Sequence, residues 1–577
     1  MPTPEHWLEG YASAYHAWQY AVDGKGEACF YRPLGLVERG FDLDGVGYEG
    51  RADINATLEL DVNTTCTPEQ IRRRILLAWT LLRLHHVLLL SKAVFHRPFM
   101  RPSHKSQNRY FLVKFPSSKH EAVSDAKKHI TFIKHTQKDF DLPSFFHHSQ
   151  NVARVVKPTE AMAELFVAPL TDGRRIELLL VMGHQISDGL TNYTWLSHFL
   201  RLLNTPISHL ETGLHAMSRP HGLVDKLPPP QEDLYMPVSG TRARQRWYWA
   251  ILRVMRHTRR PLPACFQNPL RRQAPARAAK ALEPKYDSLL DYTRMPPLNT
   301  FTVEARVDTR LSRKLIKLCR EANASVGAGS FTLTAMVMMS LYEQQNPHLP
   351  LHQRLPFIGG FPVNPRPFFG HHADPDSLML AFSDGVVLPF LPSHLDFAKR
   401  FRLLVRQAHR QLRQYQKRKT NTSIAEASSS SSNVVAQTYL GSFDRLQRTS
   451  STLSQDVRDS LIGGLPNPQG NLPARANPTL ATCGISSVGK SGWHRGIYDL
   501  NKQVGEGEDA FVADYHNSKQ NVRARDGEFL VGVWGESDGT ISANVSADGN
   551  AIDPELAQQW KYLMETILEQ LPEESRM

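Results

Sequence analysis

Arg174-Arg-Ile-Glu-Leu-Leu-Leu-Val-Met-Gly-His184-Gln-Ile-Ser-Asp188-Gly189 reads as a buried strand that ends on a histidine-bearing turn. Leu178 to Met182 form a nearly unbroken apolar run, bounded by Asp172-Gly173 before and Gly183 after, the pattern of a strand covered on both faces. Beyond Asp188-Gly189, the residues Leu190, Trp195, Leu196, Phe199 and Leu200 recur at helical spacing. The order strand, turn, helix fixes His184 at a sheet edge. A neutral imidazole held there accepts a proton from a hydroxyl or an amine, and its ordinary pKa near neutrality suits a general base. Asp188, on the same turn, is placed to brace the loop rather than to attack a substrate. The bare spacing also fits a hydrogen-bonded turn histidine. As a metal site it lacks a third ligand at a familiar distance along the chain.

The 577 residues are enough for two to four domains, or for two lobes with insertions. With 41% hydrophobic and 21% charged residues the chain has the composition of an ordinary soluble globular protein. Lysine and arginine number 68 against 56 acids, and the net charge of +12 favours anionic partners such as CoA phosphates or an acidic carrier protein. No compact basic and aromatic motif points to nucleic acid. The five cysteines are far apart and form no Cys-x-x-Cys pair, which argues for a reducing compartment without structural disulfides or zinc. The N-terminus has no basic-then-apolar signal. The longest apolar stretch, Ile75 to Leu90, is broken by Arg83, His85 and His86, so the expectation is a cytoplasmic protein with no membrane span.

Taken in order, residues 1 to about 65 form an opening segment with strands, of which Ala56 to Val62 alternates as a half-exposed strand should. Thr67, Pro68 and Gln70 then announce a helix with a capping box, whose apolar face is Ile71, Ile75, Ala78, Trp79 and Leu82. Phe111 to Phe115 reads as a strand, and His147-His148 as a solvated loop. Residues 205 to 298 are rich in proline and arginine with little periodicity outside Trp247 to Met255, and read as a crossover linker. Their arginines make either a solvated face or a surface for phosphates or an acidic protein. A second lobe opens with a strand at Phe301 to Val307, a helix around Leu311 to Ala322, and a small-residue turn feeding a buried helix. Ser428 to Ser432 mark a flexible insertion. The chain closes with a hairpin around Ser537-Asp-Gly539 and a helix capped by Asp553. Gly484-Ile-Ser-Ser-Val-Gly489-Lys490-Ser491 fits the phosphate-loop formula letter for letter. That motif needs a helix immediately after it, and Gly492-Trp-His-Arg-Gly496 is a poor one, so an NTPase using Gly484 to Ser491 is the lesser alternative.

Gly183-His184-Gln-Ile-Ser-Asp188-Gly189 at the end of an apolar strand resembles the His-x-x-x-Asp-Gly active-site motif of CoA-dependent acyltransferases, the superfamily of chloramphenicol acetyltransferases, plant BAHD acyltransferases and peptide-synthetase condensation domains. Val363-Asn364-Pro365-Arg366 resembles the superfamily's Val-Asn-x-Arg segment, which implies that Arg366 pairs with Asp188. A planar guanidinium grips a buried carboxylate well and so holds the loop that bears His184. Ile485-Ser-Ser-Val-Gly489 is similar to the second-lobe strand across the tunnel, often Ser-Asn-x-Gly, which implies a hydrogen bond from Ser486 or Ser487 near a developing oxyanion. Ser487 replaces the usual asparagine. The chain also departs from the plant branch in lacking Asp-Phe-Gly-Trp-Gly, and from condensation domains in having Gly183 where they carry a second histidine.

Within the superfamily the chain resembles fungal alcohol O-acetyltransferases of the trichothecene 15-O-acetyltransferase type. The resemblance implies an α/β fold of two chloramphenicol-acetyltransferase-like lobes, each an α+β two-layer sandwich, with the active site in a tunnel between them. The expected organisation is a lobe at residues 1–225, a crossover at 226–298 and a second lobe at 299–577 with a flexible insertion at about 420–477. It further implies an O-acyltransferase of secondary metabolism in which His184, Asp188 and Gly189 form the catalytic motif. Acetyl-CoA or another acyl-CoA is the co-substrate, a small-molecule alcohol is the acceptor, no cofactor is permanently bound, no metal is needed, and a monomer is expected. The alternative within the same fold is a carrier-protein-dependent, condensation-like enzyme or a non-catalytic binder.

Overall fold

The computed structural model describes residues 6–571 apart from 23–25, 96–108, 135–139, 171–173, 218–220, 259–260, 275, 277–281, 294–298, 370–375, 417–423, 456–457, 459–467, 470–480, 491, 503, 505–506 and 525–528. The first half runs β1 (Gln19–Val22), β2 (Ala28–Pro33), α1 (Leu36–Gly47), β3 (Ile54–Thr64), α2 (Pro68–His85), β4 (Ser91–Val94), β5 (Tyr110–Lys114), α3 (Lys119–Ala126), β6 (Ile130–Phe132), α4 (Leu142–Ser149), β7 (Ala163–Val167), β8 (Arg175–Met182) and α5 (Gly189–Leu203). Next come α6 (Ile207–Met217), α7 (His221–Val224) and α8 (Arg242–Thr258). The second half contains β9 (Thr300–Val307), α9 (Thr309–Glu321), α10 (Val326–Gln345), β10 (Phe357–Gly360), β11 (Pro362–Val363), β12 (Ala381–Phe382), β13 (Val386–Leu388), α11 (Phe397–Leu412), α12 (Ile424–Ser451), β14 (Cys483–Lys490), β15 (Phe511–Val522), β16 (Phe529–Gly535), β17 (Ile541–Asp548) and α13 (Pro554–Thr566).

Two mixed sheets carry the architecture. The first has the order β15-β3-β8-β7-β6, and the second β13-β10-β14-β16-β17-β9. Strand β8 lies between β3 and β7, antiparallel to both. Its Leu178, Leu180 and Met182 pack into a core with Trp79 of α2 and Trp195 of α5, while Leu179 and Val181 on the other face meet Phe145, Phe146 and Tyr286. The strand is therefore covered on both faces, as its apolar run requires. Asp172-Gly173, the expected break before it, lies outside the described residues. Helix α2 starts as its sequence dictates: Gln70 N–H donates to Thr67 Oγ1 and Thr67 N–H donates to Gln70 Oε1. In the second sheet β10, β14 and β16 are parallel. Its core joins Val531 and Val545 to Leu315, Met336, Phe401 and Trp560 from α9, α10, α11 and α13.

Several expectations need correction. Strand β3 alternates as expected only from Leu58 to Val62; its start, Ile54 to Leu58, is buried at every residue. His147 and His148 end helix α4 rather than lie in a solvated loop, and His148 is buried against Tyr292, bonding its hydroxyl. The chain halves do not divide at residue 299, since β15 pairs with β3 along eleven residue pairs and completes the first sheet. The serine-rich insertion is the 28-residue helix α12. Its Val435, Ala436, Tyr439, Leu440, Phe443 and Leu446 are buried against Trp7, Tyr11 and Trp249. The Tyr439 hydroxyl donates to the Trp7 carbonyl at 2.6 Å, and Asp444 forms a buried ion pair with Arg256 of α8. Apolar residues at helical spacing outweigh the serine composition there. The remainder of that insertion, beyond residue 458, lies largely outside the described residues.

Candidate active site

Strand β8 delivers Gly183, whose N–H donates to the Met162 carbonyl at 3.0 Å, and the chain then turns through His184 to Ser187 before α5. A Cβ at position 183 would stand 2.6 Å from Gln185 Oε1 and 3.1 Å from Met162 Cε. Gln185 is wholly buried, with its Nε2 donating to Asp42, so a second histidine has no room here. His184 itself is half-buried, its ring stacked face to face on Phe41 of α1 with centroids 3.9 Å apart and planes 13° from parallel. Nδ1 is buried without a hydrogen-bond partner. Burial lowers the imidazole pKa from its ordinary value, opposed by the peptide groups of His184 and Ser187 and by the charges of Asp188 and Asp53. The ring is thus held neutral at pH 7, the state a base needs.

Asp188 caps α5, with Oδ1 accepting from Thr191 N–H at 2.9 Å. Its Oδ2 accepts from Met379 N–H at 2.9 Å and from Arg366 Nη2 at 2.8 Å. The same guanidinium nitrogen donates to Thr191 Oγ1 and to the Ser377 carbonyl, each at 3.0 Å. Asp188 is therefore fully engaged in fastening the turn to the 364–379 segment of the second half. Gly189, the first residue of α5, faces Val488 of β14 in the second sheet and Gln520 of β15 in the first, and Asn192 Nδ2 donates to Gln520 Oε1 at 2.9 Å. The histidine turn sits where the two halves meet.

Ser486 and Ser487 lie on β14, the strand that supplies Val488 beside Gly189. Ser487 is exposed, and its Oγ lies 3.6 Å from where a Cβ on Gly327, at the start of α10, would stand. Ser486 is half-buried. The phosphate-loop reading fails on the same strand. Gly484 to Lys490 is extended and paired in register with β16, with a bulge at Val488 and a positive φ of 82° at Gly489. Its backbone serves the sheet ladder, and residues 492 to 499 form no helix that would present amides to a phosphate. Ser491 lies outside the described residues.

No family model matches the chain, and no curated protein sequence matches it. Among solved structures it is similar to trichothecene 15-O-acetyltransferase from Fusarium sporotrichioides, with a TM-score of 0.61 at 11% identity over 97% of this chain and 99% of that one. The chain has the chloramphenicol-acetyltransferase-like fold. It is also similar to the condensation domain of a monacolin K polyketide synthase, at a TM-score of 0.51 and 9% identity over 93% and 97% of the two chains. A four-domain nonribosomal peptide synthetase matches with a TM-score of 0.51 and 11% identity over 96% of this chain and 33% of the larger one.

Near the histidine turn, α1 is an element that sequence reasoning missed. Three glycines and three acids in twelve residues disguise Leu36–Gly47 as a loop, yet it positions Phe41 against His184. Asp42 on the same helix pairs with Arg109 through two bonds of 2.7 and 2.8 Å. Asp53, beside β3, grips Arg154 in the same way, with two bonds of 2.7 Å. Phe41 also lines a cleft of about 250 Å³, open solvent included, with Phe382 and with Arg445 of α12, whose guanidinium stands 3.5 Å from the Phe382 ring centroid.

The N-terminus of α1 is held by Glu232, whose Oε1 accepts from Val37 N–H at 3.2 Å. Burial raises the Glu232 pKa from 4.5 to about 7, only partly opposed by His16. A carboxyl raised in this way favours the fold while protonated, so its contribution is complete below pH 4.5 and is lost as pH rises through 7. Glu232→Gln keeps an acceptor for Val37 and removes the charge. We expect equal melting temperatures for variant and wild type at pH 5 and a higher one for the variant, by a few degrees, at pH 8. Identical thermal scans at pH 8 would refute the assignment.

Proposed function

We propose that this chain transfers an acyl group from a thioester, acetyl-CoA in the simplest case, to a hydroxyl of a small-molecule acceptor, with His184 as general base. The observation that carries this reading is the histidine turn itself: a neutral, half-buried imidazole on a strand end, stacked on Phe41 and fastened through Asp188 to Arg366. The similarity to an O-acetyltransferase over nearly the whole chain supports the reaction class.

In this scheme the acceptor oxygen attacks the thioester carbonyl while its proton passes to His184. The carbonyl π electrons move onto oxygen, and the resulting oxyanion is met by Ser486 on β14; Ser487, near Gly327, is the second candidate. The intermediate collapses, the carbon–sulfur bond breaks, and the leaving thiolate takes the proton back from the imidazolium. Gly189 lets β14 and Gln520 approach the turn, and Asp188 with Arg366 holds it without touching the reacting atoms.

Because burial holds the His184 pKa below 6.5, kcat/KM is expected to stay level from pH 8 down past 6.5 and to fall only on the more acid side, as the base is protonated. A half-maximal point above pH 6.5 would count against His184. The direct assay is thiol release from acetyl-CoA by the purified protein with a panel of hydroxylated terpenoids and simple alcohols, alongside His184→Ala. Turnover lost in the variant supports the reading. A folded protein that neither turns over nor binds CoA overturns the free-CoA reading. The similarity to condensation domains favours a carrier-bound thioester as the second reading. Its sign would be capture of an acidic carrier protein with no turnover of CoA thioesters.

A further inference from the structure

From residue 234 to residue 282 the sequence has no aspartate or glutamate, but ten arginines and one lysine, a local charge of +11 out of the whole chain's +12. Helix α8 lies within this stretch. Trp249, Leu252 and Arg256 face inward, where Trp249 packs edge-on against Trp7 and Tyr11, and Arg256 binds Asp444. On the outer side Trp247, Ile251, Val254 and Met255 recur at i, i+4, i+7 and i+8 and are 68%, 41%, 61% and 55% exposed. Exposed Arg242, Arg244 and Arg246 accompany that ridge.

We propose that α8 docks this protein on the surface of an anionic lipid bilayer. An exposed apolar ridge headed by tryptophan, accompanied by arginines and on a helix with no acid of its own, has the make-up of a helix that lies in the interface with its apolar side among the acyl chains. A fluid bilayer accepts a protruding ridge without a complementary groove. The exposed Arg242, Arg244 and Arg246, in a helix with no acid of its own, match a negatively charged headgroup layer. A nucleic acid would use the arginines and leave four large apolar side chains in water. The packing of Trp249 and Arg256 makes α8 a rigid part of the fold, so docking requires no unfolding.

The test is co-sedimentation of the full-length protein with phosphatidylcholine vesicles, with and without about one third phosphatidylserine, at low and at 0.5 M salt. Binding to the serine-containing vesicles and release by salt are expected. Trp247→Ser with Val254→Ser should abolish binding, and each of Arg244→Gln and Arg246→Gln should weaken it about fivefold. All these positions are exposed, so the variants should melt as the wild type does. Failure to bind anionic vesicles at low salt, or binding that survives loss of Trp247 and Val254, would overturn the proposal. So would a Trp247-dependent dimer in sedimentation velocity, or Trp247-dependent capture of an acidic protein, with no vesicle binding.

Discussion

Replacing His184 by alanine should lower turnover by roughly 10²- to 10⁴-fold, the usual share of a positioned general base, with little change in melting temperature. The side chain is half-buried and makes no strong hydrogen bond to another side chain, so the fold loses little beyond the stack on Phe41. Acceptor proton transfer then has no partner within the turn, because both oxygens of Asp188 are committed to Thr191, Met379 and Arg366. Steady-state thiol release and a thermal scan on the same preparation decide the matter. A variant that keeps its activity would remove His184 from the chemistry, and one that fails to fold would make it a structural residue.

The second large effect concerns stability. Arg366 and Asp188 have side chains only 9% and 4% exposed, and the guanidinium serves a carboxylate, a hydroxyl and a carbonyl at once. Arg366→Ala should cost about 3–5 kcal/mol, because it strands a buried charge. It should also lower turnover, since the His184 turn loses its fastening to the second half. Asp188→Asn with Arg366→Ala should cost less than the sum of the two single changes, because neither charge is then left alone. Urea midpoints for the four proteins measure this. Additive costs would mean that the pair is not coupled.

What could be read from the sequence were features whose cause is local. Leu178 to Met182 announced β8 because five consecutive apolar residues need cover on both faces, and Thr67 with Gln70 announced α2 because a capping box is spelled out within four residues. Gly539, with φ of 84°, turns the β16–β17 hairpin that alternating residues around Ser537-Asp-Gly539 implied. The approach of Arg366 to Asp188 was accessible only through resemblance, because 178 residues separate them. Helix α12 was obscured by a serine run whose composition suggests a linker, although Val435, Tyr439, Phe443 and Leu446 carry the helical period. The stacking of Phe41 on His184 and the pairs Asp42–Arg109 and Asp53–Arg154 left no pattern, since each depends on single residues brought together by the tertiary fold.

The eleven pairs between β15 and β3 also bear on how the chain is made. Strand β3 leaves the ribosome within the first 64 residues, yet its neighbour ends only at Val522. At about 5–20 residues per second, synthesis needs roughly half a minute to a minute and a half to supply it. During that interval the nascent chain carries a long unpaired strand edge, a template for aggregation. Expression truncated before residue 511 should therefore yield insoluble protein, and the need for chaperone cover falls on the growing polypeptide rather than on the finished one.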